Sequence, residues 1–245
     1  MAKRLHYWLA WLFALPLIWL SLTGALLGFS TEMDRIVHVE LMTTPLSQQP
    51  TLSESVQHEL IRQAYPHYRW VAFTPAQNPV DTSMALLRDE QDQLWQVFLN
   101  PKLGEVNGIR ALSDDWSVIL MRWHRFAFVG DELGKVLAMV STLALLLVGF
   151  SGWMHSKEQT QKRYSLHRLL GQWLTPLLLV VLVSGLLLFA QNSGWFVTSM
   201  DWWASLHQGD WLGMPGRLLW VVASLLLAWL IVGGLWLAST HKKDF

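Results

Sequence analysis

Four stretches of the 245-residue chain are apolar almost without interruption: Leu5–Phe29, Val136–Met154, Leu169–Ala190 and Leu218–Ala238. Each approaches or exceeds the roughly 20 residues that an α-helix needs to cross a hydrocarbon core. The pattern predicts a polytopic membrane protein with spanning helices at 1–30, 133–156, 166–190 and 217–240. Lys3 and Arg4 precede the first run, as in a signal peptide. Its apolar core is too long for that role and no small-x-small cleavage site follows, so the helix is expected to be retained.

The segments between the runs differ in character. Segment 31–132 is long and mixed. Within it, "TLSESVQHELIRQAYP" reads as a helix with Thr51 as cap, Glu54 in the capping-box position and Pro66 marking the end. "HYRWVAFT", "TSMALLRD" and "LWQVFLNP" follow as short strands, with turn-like "DEQDQ" and "PKLGE" after the last two. A small α+β domain at about 50–110 is expected, near the lower size limit for a self-sufficient core. Segment 191–216 carries Trp195, Trp202, Trp203 and Trp211 and reads as interfacial, at headgroup level. A loop at 157–165 and a tail at 241–245 complete the chain.

Charge adds an orientation. Lys3 and Arg4, then Lys157, Lys162 and Arg163, then Lys242 and Lys243 flank helix ends that share one side. The positive-inside rule makes that side cytoplasmic, with both termini, and places 31–132 and 191–216 opposite. Formal net charge is zero, which leaves no electrostatic footprint for nucleic acid, and the lack of Cys excludes disulfides.

The chain also repeats. "LHYWLAWLFALPLIWLSLTG" and "LHRLLGQWLTPLLLVVLVSG" both open with Leu-His and close with a hydroxyl residue and Gly. His6 and His167 each precede that Gly, Gly24 or Gly185, by eighteen residues. "GKVLAMVSTLALLLVGFSG" likewise matches "GRLLWVVASLLLAWLIVGG". His124 stands ten residues before Gly134, and His207 nine before Gly216. Two parallel helix–insert–helix units are expected, related by a pseudo-twofold axis along the membrane normal.

The repeat pairs the histidines: His6 with His167, and His124 with His207. Two imidazoles facing a bundle axis can grip one iron from both sides, and a flat apolar haem fits between packed helices. All four are expected at or just before helix N-termini, where the dipole favours neutral imidazole and attracts propionates. Arg4, Arg125, Arg168 and Arg217 are the propionate candidates. His155 is an alternative ligand beside the His6–His167 pair; helix length keeps it roughly 40 Å from His124. The competing reading makes these histidines headgroup-layer anchors. Zinc is disfavoured, since no carboxylate or Cys stands at tight spacing. His38, His58 and His67 have no such partner and are expected to be surface or core residues. The pairs Thr23–Gly24, Ser184–Gly185, Ser151–Gly152 and Gly233–Gly234 are expected to admit close helix approach, and are compatible with room for a porphyrin.

These helices, with the "LHQGDWLGMPG" that opens the fourth, resemble the PepSY-associated transmembrane family. "WQVFLNPKLGEVNGIR" resembles the end of a PepSY domain, where the last strand runs into an Asn-Pro turn and "GEV". The resemblance implies an all-α, four-helix transmembrane bundle with a small α+β PepSY-like domain between helices 1 and 2. It implies a bacterial inner-membrane protein linked to iron uptake, with b-type haem, one or two, on His6, His167, His124 and His207. Reduction of ferric iron or a ferric siderophore is the activity it suggests, with electrons from a quinol or a cytoplasmic reductase. No dinucleotide fingerprint occurs, so the donor is another molecule. The residues leave two other classes open: a cofactor-free, membrane-anchored accessory protein that binds a partner, and an iron or haem transport subunit; in any of these classes the chain could form a homo-oligomer. Spans almost free of mid-membrane polar groups argue against a transport pore.

Overall fold

The computed structural model describes residues 2–158, 165–193 and 202–240. They form nine α-helices and one four-stranded sheet in two compact units, one made of 1–29 with 120–245, the other of 30–119.

The first unit is a helix bundle. Helices α1 (Ala2–Leu27), α6 (Asp131–Glu158), α7 (Ser165–Asn192) and α9 (Met214–Thr240) are long and apolar enough to cross a bilayer, and the chain is a multi-pass membrane protein. α1 packs on α6 and α9, and α7 packs on the same two helices, so α1 and α7 face each other diagonally. Leu17, Leu145, Leu174, Trp220, Leu227 and Leu230 fill the middle. Large apolar side chains such as Leu12, Leu15, Trp173 and Trp236 point outward, as expected where the solvent is lipid rather than water. Two short helices, α5 (Trp116–His124) and α8 (Trp202–Gln208), lead into α6 and α9.

The second unit begins with α2 (Ser30–Val37) and α3 (Val39–Met42), followed by α4 (Glu54–Ala64) and strands β1 (Arg69–Thr74), β2 (Ser83–Arg88), β3 (Leu94–Leu99) and β4 (Val106–Ala111). The strands form an antiparallel meander in chain order. β4 is a fourth strand beyond the three expected runs. α4 is capped by Ser53, whose hydroxyl accepts from the Val56 amide, and not by Thr51. A Ser at the position directly before the helix reaches the orphan amides, which Thr51 is two residues too early to do. Alternation along β2 sends Ser83, Ala85 and Leu87 inward, and Ile61, Val97 and Leu99 complete the core. The β3–β4 turn is held by the Asn100 carboxamide, which accepts from the Lys102 and Leu103 amides, and by Gly104 at φ +73°.

A buried charge network ties this unit together. Arg110 on β4 donates to both carboxylate oxygens of Asp34 on α2, at 2.7 and 2.5 Å, and to Gln96 and Asp115. His38 lies 2.9 Å from the same pair. Burial raises the Asp34 pKa, but the Arg110 hydrogen bonds and charge, with His38 and the Trp116 amide, outweigh it and hold the carboxyl below its ordinary 3.8.

Candidate functional site

Each of the four paired histidines lays its ring on a glycine of a neighbouring helix. A Cβ on Gly152 of α6 would stand 3.0 Å from Cε1 of His6. The same distance separates a Cβ on Gly234 of α9 from Cε1 of His167. For Gly24 of α1 and His124 it is 3.3 Å, and for Gly185 of α7 and His207 it is 2.8 Å. Any side chain at these positions would occupy the space that the imidazoles use. The glycine-ended pairs that the sequence suggested for helix–helix approach are therefore seats for imidazole rings.

The residues around each seat recur. His6 Nδ1 donates to the carbonyl of Val148, four residues before Gly152, at 2.9 Å. His207 Nδ1 donates to Val181, four before Gly185, also at 2.9 Å. His124 Nδ1 lies 2.9 Å from Thr23 Oγ1, and the ring also engages the Leu20 backbone, four residues before Gly24. The hydroxyl preceding each of these glycines donates its proton within its own helix. Ser151 gives it to Val148, Ser184 to Val180 or Val181, and Thr23 to Trp19. Toward imidazole the hydroxyl can then only accept, so Nδ1 carries the hydrogen. Nε2 is left with its lone pair, which is the ligating form of the ring. His167 departs from the pattern: Gly233 replaces the hydroxyl residue, and its Nδ1 is buried with no hydrogen-bond partner among the described residues.

Indole hydrogen bonds hold the two short helices in place. Trp19 donates to the carbonyl of Trp123 at 2.7 Å, and Trp220 to that of Leu206 at 2.6 Å. Each carbonyl belongs to the residue directly before a histidine, His124 or His207. These pins had no signal in the sequence, where sixteen Trp read as a membrane belt. Past each histidine the chain turns sharply, and the next helix admits the turn through glycine. A Cβ on Gly134 would lie 2.5 Å from the Phe126 carbonyl, and one on Gly216 would meet the Gly209 carbonyl.

His124 and His207 thus come together, their ring centres 6.5 Å apart with planes at 55°. His124 is the last residue of α5 and His207 the last but one of α8, so both stand before the spanning helices α6 and α9, on short helices of their own. Short helices form ahead of the turns, and the spans begin only afterwards. On these two helices, outside the four spans, burial comes first in setting protonation. Burial, with His207 and Arg125 adding repulsion against the Leu20 carbonyl, pushes the His124 pKa from 6.5 down to about 3. Burial likewise lowers that of His207, against the Val181 carbonyl. Both rings are therefore neutral at physiological pH.

At the other end, His6 and His167 lie near the N-termini of α1 and α7 and interact electrostatically. The ends are related by helix geometry. α1 carries His6 and, eighteen residues on, the seat for His124, which places the two rings about 27 Å apart along the axis. The side chain of His155 lies outside the described residues, as do Trp195 and the last five residues.

The arginines divide. Both Nε and Nη2 of Arg217 donate to the Gly28 carbonyl, at 2.8 and 2.6 Å, and its guanidinium lies over Phe29, closing the end of α1. Arg125 is exposed and lines a cavity of about 300 Å³ with Arg122, Asp131, Glu132 and Lys135. Arg4 is exposed and Arg168 half-buried. In the second unit His38 belongs to the Arg110 network, His58 packs between Trp70 and Phe73, and His67 is exposed. No group of three or more His, Cys, Asp or Glu converges on a metal position among the described residues.

Two imidazoles alone suit a metal whose other ligands come from a macrocycle. An iron between two imidazole nitrogens at about 2 Å each sets the ring centres about 6 Å apart, close to the 6.5 Å of His124 and His207. The residues at that end therefore fit a haem. A comparison with protein families matched residues 3–198 to the PepSY-associated TM region. A comparison with curated proteins found no match.

Proposed function

The chain belongs to the PepSY-associated TM region family, and from that premise we propose that it is a haem-carrying electron conduit that reduces ferric iron or a ferric siderophore in support of iron uptake. The observation that carries the reading is the His124–His207 pair: two neutral rings at a spacing that suits one iron, each with Nδ1 committed to a helix, which leaves the lone pair on Nε2. The seats recur at positions the repeat would relate, Gly24 with Gly185 and Gly152 with Gly234, which supports a second site and an internal repeat of two helix–insert–helix units.

In this reading His124 and His207 hold one b-type haem and His6 and His167 the other. A bound haem supplies a one-electron iron couple. The protein fixes ring orientation, raises ligand basicity through the carbonyl bonds, and keeps water out with the Leu17–Leu145–Leu174 core. Arg4, Arg125 and Arg168 are the propionate candidates in this reading, and Arg217 donates to the Gly28 carbonyl. The basic residues orient both termini to the cytoplasm of a bacterial inner membrane, so electrons enter from a quinol or a cytoplasmic reductase at the His6 end. Ferric iron is met on the far side of the membrane. Two sites about 27 Å apart stand near the two faces of a hydrocarbon core of about 30 Å.

The test uses the full chain in proteoliposomes, with a quinol outside reach of an enclosed ferric chelate. Reduction inside is expected for the unaltered chain and should fall at least about 10-fold in His207→Ala and His6→Ala alike. Equal reduction in all three would contradict transmembrane conduction.

A further inference from the structure

Of the four imidazole seats, that of His167 is the only one among the described residues built without a hydroxyl. Ser151, Thr23 and Ser184 precede the seats of His6, His124 and His207, whereas Gly233 precedes Gly234. The other three rings place Nδ1 on a carbonyl or hydroxyl oxygen. The His167 Nδ1 is buried with no partner among the described residues. The ring is also turned differently. Nε2 of His167 lies 3.6 Å from the would-be Cβ of Gly234, nearer than Nδ1 at 3.8 Å. At His6 and His207 the order is reversed, with Nδ1 at 3.1 and 3.2 Å and Nε2 at 3.9 and 3.6 Å.

A ligating imidazole without a carbonyl or hydroxyl to receive its second N–H is a poorer donor and is not held at one angle. Loss of such a partner typically weakens metal binding by about 10–100-fold. Resting on the haem reading above, we infer that the His6–His167 site is the one where a ligand exchanges: His167 yields its place to a small neutral π-acceptor such as a diatomic gas, while the His124–His207 site stays closed. The proposal gives the two ends different chemistry, one a pure electron-transfer site and one also a site for an exogenous small ligand.

Gly233 permits a direct test, because a Cβ there meets nothing within 4 Å. Gly233→Ser supplies the missing hydroxyl at the position Ser151 and Ser184 hold, and Gly233→Ala supplies the bulk without it. The full-length protein in detergent, reduced with dithionite, is titrated with carbon monoxide while the Soret band is followed. The unaltered chain and Gly233→Ala are expected to bind it at about half of the haem, and Gly233→Ser about 10-fold or more weakly. Carbon monoxide at neither site, at both sites, or equally in Gly233→Ser would overturn the proposal. Haem content, read from the same spectra, separates that outcome from failure of the haem reading, since a chain without haem gives no Soret band at all.

Discussion

Gly185→Val is expected to remove the proposed haem from one end of the bundle while all four histidines remain in the chain. The first added carbon would stand 2.8 Å from Cε1 of His207 and 3.2 Å from its Nδ1, and valine adds two methyls beyond it. The ring cannot give way by rotating about a flexible end, because Nδ1 is bonded to the Val181 carbonyl and α8 is pinned by Trp220. His207 is pushed off that carbonyl and away from His124. The haem-to-protein ratio is then expected to fall from about two to about one, with the His6–His167 site unaffected. Gly171→Ala, on the same helix with nothing within 4 Å, should keep both. Full haem content in Gly185→Val would mean that the glycine seats serve helix packing alone.

Arg110→Met should unfold the 30–119 unit locally. Arg110 and Asp34 are both buried, and the substitution leaves the Asp34 carboxylate without its counter-ion. Breaking a buried pair from one side costs about 3–5 kcal/mol, a large share of what a domain of this size has to lose. Amide exchange on the full chain is expected to lose protection in β3 and β4, with the bundle amides unchanged. The same network sets an acid limit. The Asp34 pKa is lower in the folded state than in the unfolded chain, so its contribution is fully present above 3.8 and is lost as pH falls through the folded value. Protection in β3 and β4 should therefore be flat from neutral pH down to about 5 and drop in stronger acid.

Much of the bundle was legible because the bilayer demands it. Runs such as Leu218–Ala238 have few other uses, and the helices stand where the apolar runs do. The eighteen-residue step from His6 to Gly24 was visible as a number but not as a mechanism. It joins a ligand candidate of one layer to the seat of the other, and a helix pitch alone does not say which ring from which helix fills a glycine. The position of His124 was hidden for a similar reason. "DDWSVILMRWHRF" carries too weak a pattern to announce a short helix that delivers its last residue to α1. In the soluble unit, β4 was missed because "VNGIRA" has no alternation of its own and is held in place by pairing with β3. The Arg110–Asp34 pair joins residues 76 apart in sequence, beyond the reach of local rules.

The most direct measurement is the oxidised and dithionite-reduced absorption spectrum of the full-length protein purified in detergent, with a haem-to-protein ratio. The account predicts a sharp low-spin b-type α band on reduction and about two haems per chain, one lost in His124→Ala and in His207→Ala alike. A colourless protein from haem-replete cells would contradict it and leave the four histidines as structural pins of a membrane-anchored accessory protein.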